Sequence, residues 1–276
     1  MRRVIISAPG EADKLKTLTD FLKTLPTLAV AFSGGTDSAF LLKIAKGAIG
    51  GRVVAITARS LLFPEREVEA AQSFCREQGV EHILIRTEEL HEGNFADNPH
   101  NRCYLCKKAL FAKVRSAAEE LCITDIAEGS NADDILDYRP GLEAVKEDGI
   151  LSPLKAAGLT KGEIRRLSRQ LNLSTWDKPA FACLASRFPY GERITTEALS
   201  KVEAAEQYIF DLGVRQVRVR CHRDTARIET DENGFAVLTE SAVRDKVVSK
   251  FKALGFTYVS LDLQGYRMGS MNENFR

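Results

Sequence analysis

The stretch Ser33–Ser38, "SGGTDS", combines residue types that could bind an anion. It follows the apolar run "TLAVAF" and precedes a helical pattern, which gives a strand, a glycine turn and a helix. Glycine lets the backbone approach an anion closely, and the first turn of a helix offers N–H groups that have no partner within the helix. Ser33, Thr36 and Ser38 add hydroxyl groups, and Asp37 could hold Mg²⁺ or cap the helix. An ordinary capped strand–turn–helix has the same spacing, so spacing alone leaves both interpretations open.

A second stretch, "NRCYLCKKALF", places Cys103 and Cys106 three residues apart in a helical pattern. That spacing puts both thiols on one face of a helix. The pair could be a disulfide, two metal ligands or two buried thiols. Six cysteines in 276 residues do not form a disulfide scaffold, and a close pair in a reducing compartment is typical of metal or redox sites.

Two thiols do not complete a metal site, so a further ligand must come from another part of the chain. Cys183, in a proline-containing segment, is the candidate. Three thiolates could hold a 4Fe–4S cluster with one iron open. Zinc is the alternative, with His100 or Asp177 as fourth ligand.

The elements that must position these residues alternate between strand and helix over the first two-thirds of the chain. The pattern predicts strands at 27–35, 52–57, 81–86 and 123–129, and helices at 37–46, 64–78, 102–121 and 160–171. Repeated strand–helix units predict an α/β fold with a parallel sheet covered on both faces. Ligands of such folds bind beyond the carboxyl ends of the strands.

The pattern changes in the segment 177–191, which has two prolines and a glycine and is predicted to be a loop. Beyond it the sequence predicts helices at 195–212 and 241–254 and strands at 216–222, 226–229 and 256–263. We therefore expect two domains, a parallel-sheet domain at 1–175 and a loop plus a second, smaller α/β domain at 176–276.

Composition narrows the class of partner. The chain carries 39 basic and 38 acidic residues, a net charge of +1, and lacks the basic excess typical of nucleic-acid binding. No apolar run approaches the length of a membrane span, and the N-terminal residues lack a secretory signal. We expect a cytoplasmic protein that acts on a small molecule.

The turn differs from the common nucleotide P-loop, which requires GxxxxGK[ST]. "SGGTDS" at the end of a first strand instead resembles the PP-loop of the ATP pyrophosphatase superfamily, whose fold is adenine nucleotide alpha hydrolase-like. The resemblance implies cleavage of ATP to AMP and pyrophosphate, with Ser33, Gly34, Gly35, Thr36, Asp37 and Ser38 around the phosphates.

Four further blocks resemble the LarE family of ATP-dependent sulfur transferases, which help to build the nickel-pincer nucleotide cofactor. They are "EGSNADDILDYRPG" (128–141), "CLASRFPYG" (183–191), "VRVRCHRDTARIE" (217–229) and "LDLQGYRMGSMNE" (261–273). The resemblance implies that the carboxylates of pyridinium-3,5-biscarboxylic acid mononucleotide are adenylated and converted to thiocarboxylates. It also implies a sulfide donor and a homo-oligomer.

The family has two forms that differ in their source of sulfur. One gives up the sulfur of a single cysteine in the SRFPYG loop and leaves dehydroalanine. The other has three cysteines, and a 4Fe–4S cluster is thought to carry the sulfide. Cys103, Cys106 and Cys183 resemble the second form, so the resemblance implies that they bind a cluster.

The resemblance also suggests roles for single residues. Gly129 is expected near ATP, and Lys107 and Arg187 near ATP phosphates or the acyl-adenylate, although either of these two could equally be a surface charge. The candidates for the substrate are Ser186, Arg187, Arg218, Arg220 and Arg267, although the sequence alone favours a merely solvated strand face for the arginines at 218 and 220. Asp134 and Asp137 could hold Mg²⁺ or the substrate, or cap a helix, and Glu206 and Glu229 are weaker metal candidates. The remaining thiols are interpreted as structural, with Cys75 and Cys122 in apolar helical settings and Cys221 on the inward face of a strand.

Three alternative functions remain open. A PP-loop tRNA thiolase would use the same chemistry on an RNA base. An ammonia-dependent PP-loop synthetase would leave the three cysteines without a role, and a zinc-stapled binding module would leave the SGGTDS turn without a role.

Overall fold

The computed structural model describes residues 10–136, 141–179, 181–267 and 270–271, so Asp137 lies outside the described residues. The chain forms two compact units. The first comprises Met1–Arg59, Glu65–Thr87 and Cys103–Lys178, and the second comprises Ser60–Pro64, Glu88–Arg102 and Pro179–Arg276. In the described ranges, no helix is long and apolar enough to cross a membrane.

The first unit is built on a parallel sheet with the strand order β3-β2-β1-β4. Its strands are β1 (Leu28–Ala31), β2 (Val53–Arg59), β3 (Glu81–Arg86) and β4 (Ile126–Ala127). Its helices are α1 (Glu11–Lys23), α2 (Thr36–Ala48), α3 (Glu65–Gln78), α4 (Arg102–Glu120), α5 (Gly141–Glu147), α6 (Pro153–Ala156) and α7 (Lys161–Gln170), with a 3-10 helix at Ala132–Leu136.

Helices cover both faces of this sheet, as its apolar strands require. Leu28 and Val30 of β1 pack into one core cluster with residues of α2, whereas Ala29, between them, joins a second cluster with Phe111 of α4. Successive side chains of a strand point to opposite faces, so this division marks the two sides of the sheet. A strand buried on both faces reads as a continuous apolar run, which is why "LAVA" was recognisable.

The carboxyl end of β1 is fixed by its neighbours. The Phe32 N–H donates to the carbonyl of Ile56, and the Thr57 hydroxyl donates to the carbonyl of Phe32 at 2.7 Å. The ring of His82 lies 2.8 Å from the same hydroxyl and edge-on to Phe32. Burial lowers the pKa of His82, so the neutral ring is favoured there. The turn that follows therefore starts from a rigid strand end.

The second unit holds a three-stranded sheet with the order β5-β6-β7, in which β5 and β6 are antiparallel and β6 and β7 are parallel. Its elements are α8 (Thr196–Asp211), β5 (Val217–His222), β6 (Thr225–Thr230), α9 (Glu232–Thr239), α10 (Ser241–Ala253) and β7 (Tyr258–Leu261), with 3-10 helices at Glu89–His91, Phe95–Asp97 and Leu184–Arg187.

The sequence interpretation of Cys122 is wrong. This residue was expected in an apolar helical setting, but α4 ends at Glu120 and Cys122 is exposed. Its φ of 58° is the left-handed conformation with which helices commonly end, and the N–H of Ile123 donates back to the carbonyl of Ala118. Cys75 and Cys221, in contrast, are buried as predicted.

Candidate functional site

The turn Ser33–Ser38 joins the end of β1 to the start of α2, and its shape depends on Gly34. This residue has φ +68°, and an added Cβ would lie 3.1 Å from the Cβ of Ala71 on α3. Across the turn, the hydroxyl oxygens of Ser33 and Ser38 lie 3.1 Å apart, and the Ser38 hydroxyl also donates to the carbonyl of Gly35. The result is a tight, hydroxyl-lined loop at the N-terminus of a 13-residue helix, the geometry that favours a bound phosphate.

Two contacts from a distant part of the same unit hold the turn. The Thr36 hydroxyl donates to the carbonyl of Thr175 at 2.8 Å, which engages the proton that we expected to face a ligand. The ammonium of Lys178 lies 3.0 Å from the carbonyl of Gly34 and 2.7 Å from the carboxylate of Glu67. The segment 175–178 is thus fastened to the turn at two points.

Asp37 is the acidic residue of the turn and lies in the first turn of α2. Its Oδ2 atom is 2.6 Å from the ammonium of Lys161 and 3.5 Å from the amide nitrogen of Asn131. Its Oδ1 atom is buried and accepts no hydrogen bond from the described residues. Burial raises the pKa of Asp37, and Lys161 beside it counteracts part of that rise. One oxygen of the Asp37 carboxylate therefore contacts the ammonium of Lys161, and the other is buried and could accept a hydrogen bond or bind a metal ion.

Gly129 makes the closest backbone approach to the turn. An added Cβ would lie 2.9 Å from the amide nitrogen of Ser38 and 3.1 Å from its Cα atom. The preceding residue, Glu128, accepts hydrogen bonds from Ser130 and Ser152, and its carboxylate lies 3.9 Å from the ammonium of Lys107. The structure therefore brings Gly129 against the turn and places Lys107 beside the adjoining segment.

The cysteine pair lies at the start of α4. Cys103 is exposed and Cys106 is partly buried, and both are present as thiols. Within the described ranges, no three His, Cys, Asp or Glu side chains form a group that could hold a metal ion. Cys103 and Cys106 belong to the first unit and Cys183 to the second. The pair offers two ligands one helical turn apart on α4.

Cys183 lies in a segment whose backbone is firmly held within the second unit. The guanidinium of Arg187 donates to the carbonyls of Ala182 and Cys183 at 2.7 and 3.0 Å. It also forms a two-pronged ion pair with Glu206, at 2.8 and 2.9 Å, and both side chains are fully buried. Burial opposes the charge of Arg187, but Glu206 raises its pKa above the usual value.

In this structure the guanidinium of Arg187 holds the backbone of the Cys183 segment. Its contacts engage all but one of its five N–H groups: Nη1 donates to the two carbonyls and to the Ser186 hydroxyl, and Nε and Nη2 donate to Glu206. The hydroxyl of Ser186 also donates to the carbonyl of Cys183, at 2.8 Å. Arg187 is buried, which excludes the alternative of a surface charge.

The alternative of a solvated face for Arg218 and Arg220 is wrong, because only 2% and 5% of these residues is exposed. Arg220 pairs with Glu229 at 2.7 Å and donates to the carbonyl of Ser186 at 2.9 Å. The guanidinium of Arg218 lies over the rings of Phe181 and Tyr266, 5.1 and 5.2 Å from their centroids. Burial and repulsion from neighbouring guanidinium groups lower the pKa of Arg218 to about 10, which leaves it charged at neutral pH.

The other predicted residues have more ordinary settings. Arg267 is half-buried, 3.9 Å from Asp262. Glu206 and Glu229, the weaker metal candidates, are the carboxylates that neutralise the buried arginines. His100 stacks on Tyr190, with 4.7 Å between ring centroids, and Asp134 accepts from the Asn131 N–H at 2.9 Å.

Sequence reasoning missed the residues that reach the turn from outside the motif: Glu67, Asn131, Lys161, Thr175 and Lys178. Asn131 stands inside the quoted "EGSN" block, and Lys161 follows the Thr160 helix cap, so both were close to recognised features. No pattern links Lys178 to a glycine 144 residues earlier in the chain.

The parallel sheet and the serine–glycine turn at the end of its inner strand place the chain among the α/β proteins with a PP-loop domain. No family model matches the chain. The pyridinium-3,5-bisthiocarboxylic acid mononucleotide synthase of Lactiplantibacillus plantarum is 38% identical over 266 residues, which cover 95% of both chains. The chain belongs to the family of that synthase, the LarE family.

Two further relatives match most of the chain. An uncharacterised protein of Synechocystis sp. is 42% identical over 94% of this chain and 97% of its own. An uncharacterised protein of Methanocaldococcus jannaschii is 28% identical over 87% of this chain and 90% of its own. The similarity thus extends through both units.

Proposed function

We propose that this protein is an ATP-dependent sulfur transferase that converts the carboxylates of pyridinium-3,5-biscarboxylic acid mononucleotide into thiocarboxylates. The observation that carries the proposal is the match to the Lactiplantibacillus plantarum synthase, which spans 95% of both chains. The product named for that enzyme has two thiocarboxylates on a pyridinium mononucleotide. Replacing a carboxylate oxygen by sulfur requires that the oxygen first become a leaving group, and ATP supplies that activation.

The first step is adenylation, and the turn Ser33–Ser38 is the proposed ATP site. A carboxylate oxygen of the substrate attacks the α-phosphorus of ATP, the bond to the β-phosphate oxygen breaks, and pyrophosphate leaves. Asp37, with its buried Oδ1 atom, suits a Mg²⁺ ion that accompanies ATP. The N-terminus of α2 and the ammonium of Lys107 add positive charge for the phosphates.

The second step is transfer of sulfur. A sulfur nucleophile attacks the acyl carbon, the bond to the AMP oxygen breaks, and AMP leaves. We propose Cys103, Cys106 and Cys183 as ligands of a 4Fe–4S cluster, whose chemistry when bound would be to hold the sulfide that is transferred. The exposed Cys103 and the partly buried Cys106, one helical turn apart on α4, suit two such ligands, and the backbone of Cys183 is firmly held within the second unit.

The nucleotide substrate is proposed to bind at the second unit. Arg218 and Arg220 are buried, and guanidinium groups bind phosphate and carboxylate groups through paired hydrogen bonds. Arg220 pairs with Glu229, but its buried Nε atom donates no hydrogen bond to the described residues. Ser186 and Arg267 complete the proposed set. The same proposal includes an external sulfide donor, a homo-oligomeric state and a cytoplasmic location.

The test is anaerobic turnover of the purified protein with the biscarboxylic mononucleotide, Mg²⁺–ATP and sulfide. We expect thiocarboxylate product, with AMP and pyrophosphate in stoichiometric amounts. Formation of ADP and phosphate would overturn the ATP chemistry, and absence of a mass gain from sulfur in the nucleotide would overturn the transferase.

Intact-protein mass spectrometry on the same samples separates the two sulfur sources. A cluster-based enzyme keeps its polypeptide mass over many turnovers, and Cys103→Ser and Cys106→Ser lose activity together with bound iron. A single turnover that leaves dehydroalanine at Cys183 would instead mean that the protein gives up its own sulfur.

A further inference from the structure

The candidate ATP turn has no lysine in its own motif, yet two lysines from outside the motif reach it. Lys178 contacts the carbonyl of Gly34, and Lys161 contacts the carboxylate of Asp37. A triphosphate carries several negative charges that must be neutralised when it leaves water. The two ammonium groups could therefore supply the positive charge that, in other nucleotide-binding loops, comes from a lysine of the motif itself.

The two lysines differ in how tightly they are held. The ammonium of Lys178 lies between two fixed acceptors, the Gly34 carbonyl at 3.0 Å and Glu67 at 2.7 Å, and only 17% of its side chain is exposed. Lys161 has a single side-chain acceptor, Asp37, among the described residues, and 32% of its side chain is exposed. Lys178 thus stabilises the turn, whereas the more exposed ammonium of Lys161 can leave Asp37 and bind another acceptor.

The backbone of Lys161 is nevertheless fixed. Its N–H donates to the carboxylate of Asp133 at 2.8 Å, and it is the first residue of α7. That helix begins with a capping box between Thr160 and Glu163, and Glu163 pairs with Lys14 at 2.8 Å. Only the flexible part of the Lys161 side chain is therefore free to move, and it moves from a defined point beside the turn.

Asp37, the ion-pair partner of Lys161, is the residue proposed to bind Mg²⁺. Oδ2 of Asp37 accepts from Lys161, and Oδ1 is buried and accepts no hydrogen bond from the described residues. A cation bound to this carboxylate repels an ammonium 2.6 Å away, while a phosphate beside the same helix terminus attracts it. Binding of Mg²⁺–ATP therefore favours release of Lys161 from Asp37 and its transfer to a phosphate.

We propose that Lys161 is a phosphate-binding residue of the ATP site, paired with Asp37 in the free protein and with a phosphate of ATP in the complex. The inference rests on the proposed use of ATP by this turn. It assigns to one residue outside the motif the role that a motif lysine has in other nucleotide-binding loops.

The test is calorimetric binding of Mg²⁺ with α,β-methylene-ATP, an analogue that cannot be cleaved at the bond of interest. We expect Lys161→Met to weaken binding about tenfold or more, because one charge-assisted contact is lost, and Lys161→Arg to retain most of the affinity. Lys108→Met is the matched control, since Lys108 of α4 forms an ion pair of 2.5 Å with Asp148 and is exposed to a similar extent, away from the turn. Urea unfolding of each variant confirms that it is folded.

A second readout separates phosphate binding from a purely structural role. With Mn²⁺ alone, Lys161→Met should bind the ion at least as tightly as the unchanged protein, because Asp37 has lost a competing cation. A structural loss would weaken the binding of both Mn²⁺ and the nucleotide.

The outcomes distinguish this inference from the function on which it rests. Equal analogue affinity in Lys161→Met and the unchanged protein, or equal weakening in Lys108→Met, overturns the role of Lys161 alone. Failure of the unchanged protein to bind the analogue overturns the proposed ATP chemistry and this inference with it.

Discussion

Replacing Gly129 with alanine should damage the candidate ATP site by pressing a methyl group against the start of α2. The added Cβ would lie 2.9 Å from the Ser38 nitrogen, 3.1 Å from its Cα atom and 3.3 Å from the carbonyl carbon of Asp37. All three are backbone atoms in the first turn of a helix, so no flexible side chain can move aside. Restoring ordinary contact requires the loop and the helix to separate by about 0.5 Å.

The size of the effect follows from that displacement. Overpacking of a tight contact costs about 1–3 kcal/mol, so the free energy of unfolding should fall by that amount. A misplacement of about 1 Å can cost a reaction about 100-fold, so a shift of half that distance should lower the rate of adenylation by about tenfold.

The assays are urea unfolding and substrate-dependent exchange of labelled pyrophosphate into ATP. Gly47→Ala is the matched control, because Gly47 lies in the same helix and an added Cβ would meet nothing within 4 Å. Alanine in a helix is favoured over glycine by about 1 kcal/mol, so this variant should unfold at higher urea and exchange normally. If Gly129→Ala unfolds and exchanges like the unchanged protein, the close approach does not control the turn.

Three further outcomes follow from buried ionisable groups. Burial lowers the pKa of His82, so below about pH 6.5 the unfolded chain binds a proton at this residue that the folded chain does not bind. The contribution of His82 to the free energy of unfolding is therefore full above that pH and is lost on acidification. Urea unfolding at about pH 7.5 and pH 5.5 should show that His82→Gln loses less stability than the unchanged protein. Burial raises the pKa of Cys75 to about 12, so iodoacetamide should leave Cys75 unmodified in the folded protein while it alkylates the exposed Cys103, as peptide mapping with and without denaturant will show. Glu206→Gln leaves the buried Arg187 without its counter-charge and should lower the free energy of unfolding by about 3–5 kcal/mol; a loss below about 1 kcal/mol would mean that the pair is better solvated than its burial indicates.

The sequence predicted those parts of the fold that depend on local pattern. The strand Glu81–Arg86 has the predicted bounds, and α7 begins at the predicted Thr160 capping box. In contrast, α1 was missed, although Leu18 and Leu22 of this helix are fully buried, because its sequence is mostly polar and charged. The strand β4 is two residues long where seven were predicted, since only Ile126 and Ala127 pair with β1.

The candidate site was predictable only where its residues form a contiguous motif. Ser33–Ser38 stood out because glycine and hydroxyl residues follow a buried strand. The burial of Arg218 and Arg220 could not be read from alternation along β5, because it depends on Glu229 of the neighbouring strand and on aromatic rings from other segments. Side chains that reach the turn over more than 100 residues, such as Lys161, leave no local pattern.

The long-range anchors of the turn have a consequence for how the protein is made. Ser33–Ser38 is synthesised before the segment that anchors it, and β1 can pair with β2 soon afterwards. Its hydroxyl anchor at Thr175 and its ammonium anchor at Lys178 are synthesised 139 and 144 residues after the residues that they hold. Chains grow at about 5–20 residues per second, so on the order of ten seconds pass between synthesis of the turn and synthesis of Thr175 and Lys178. A nascent chain arrested before Thr175 therefore carries the complete motif without its anchors, and the ability to retain nucleotide should arise only when the first unit has been synthesised to its end.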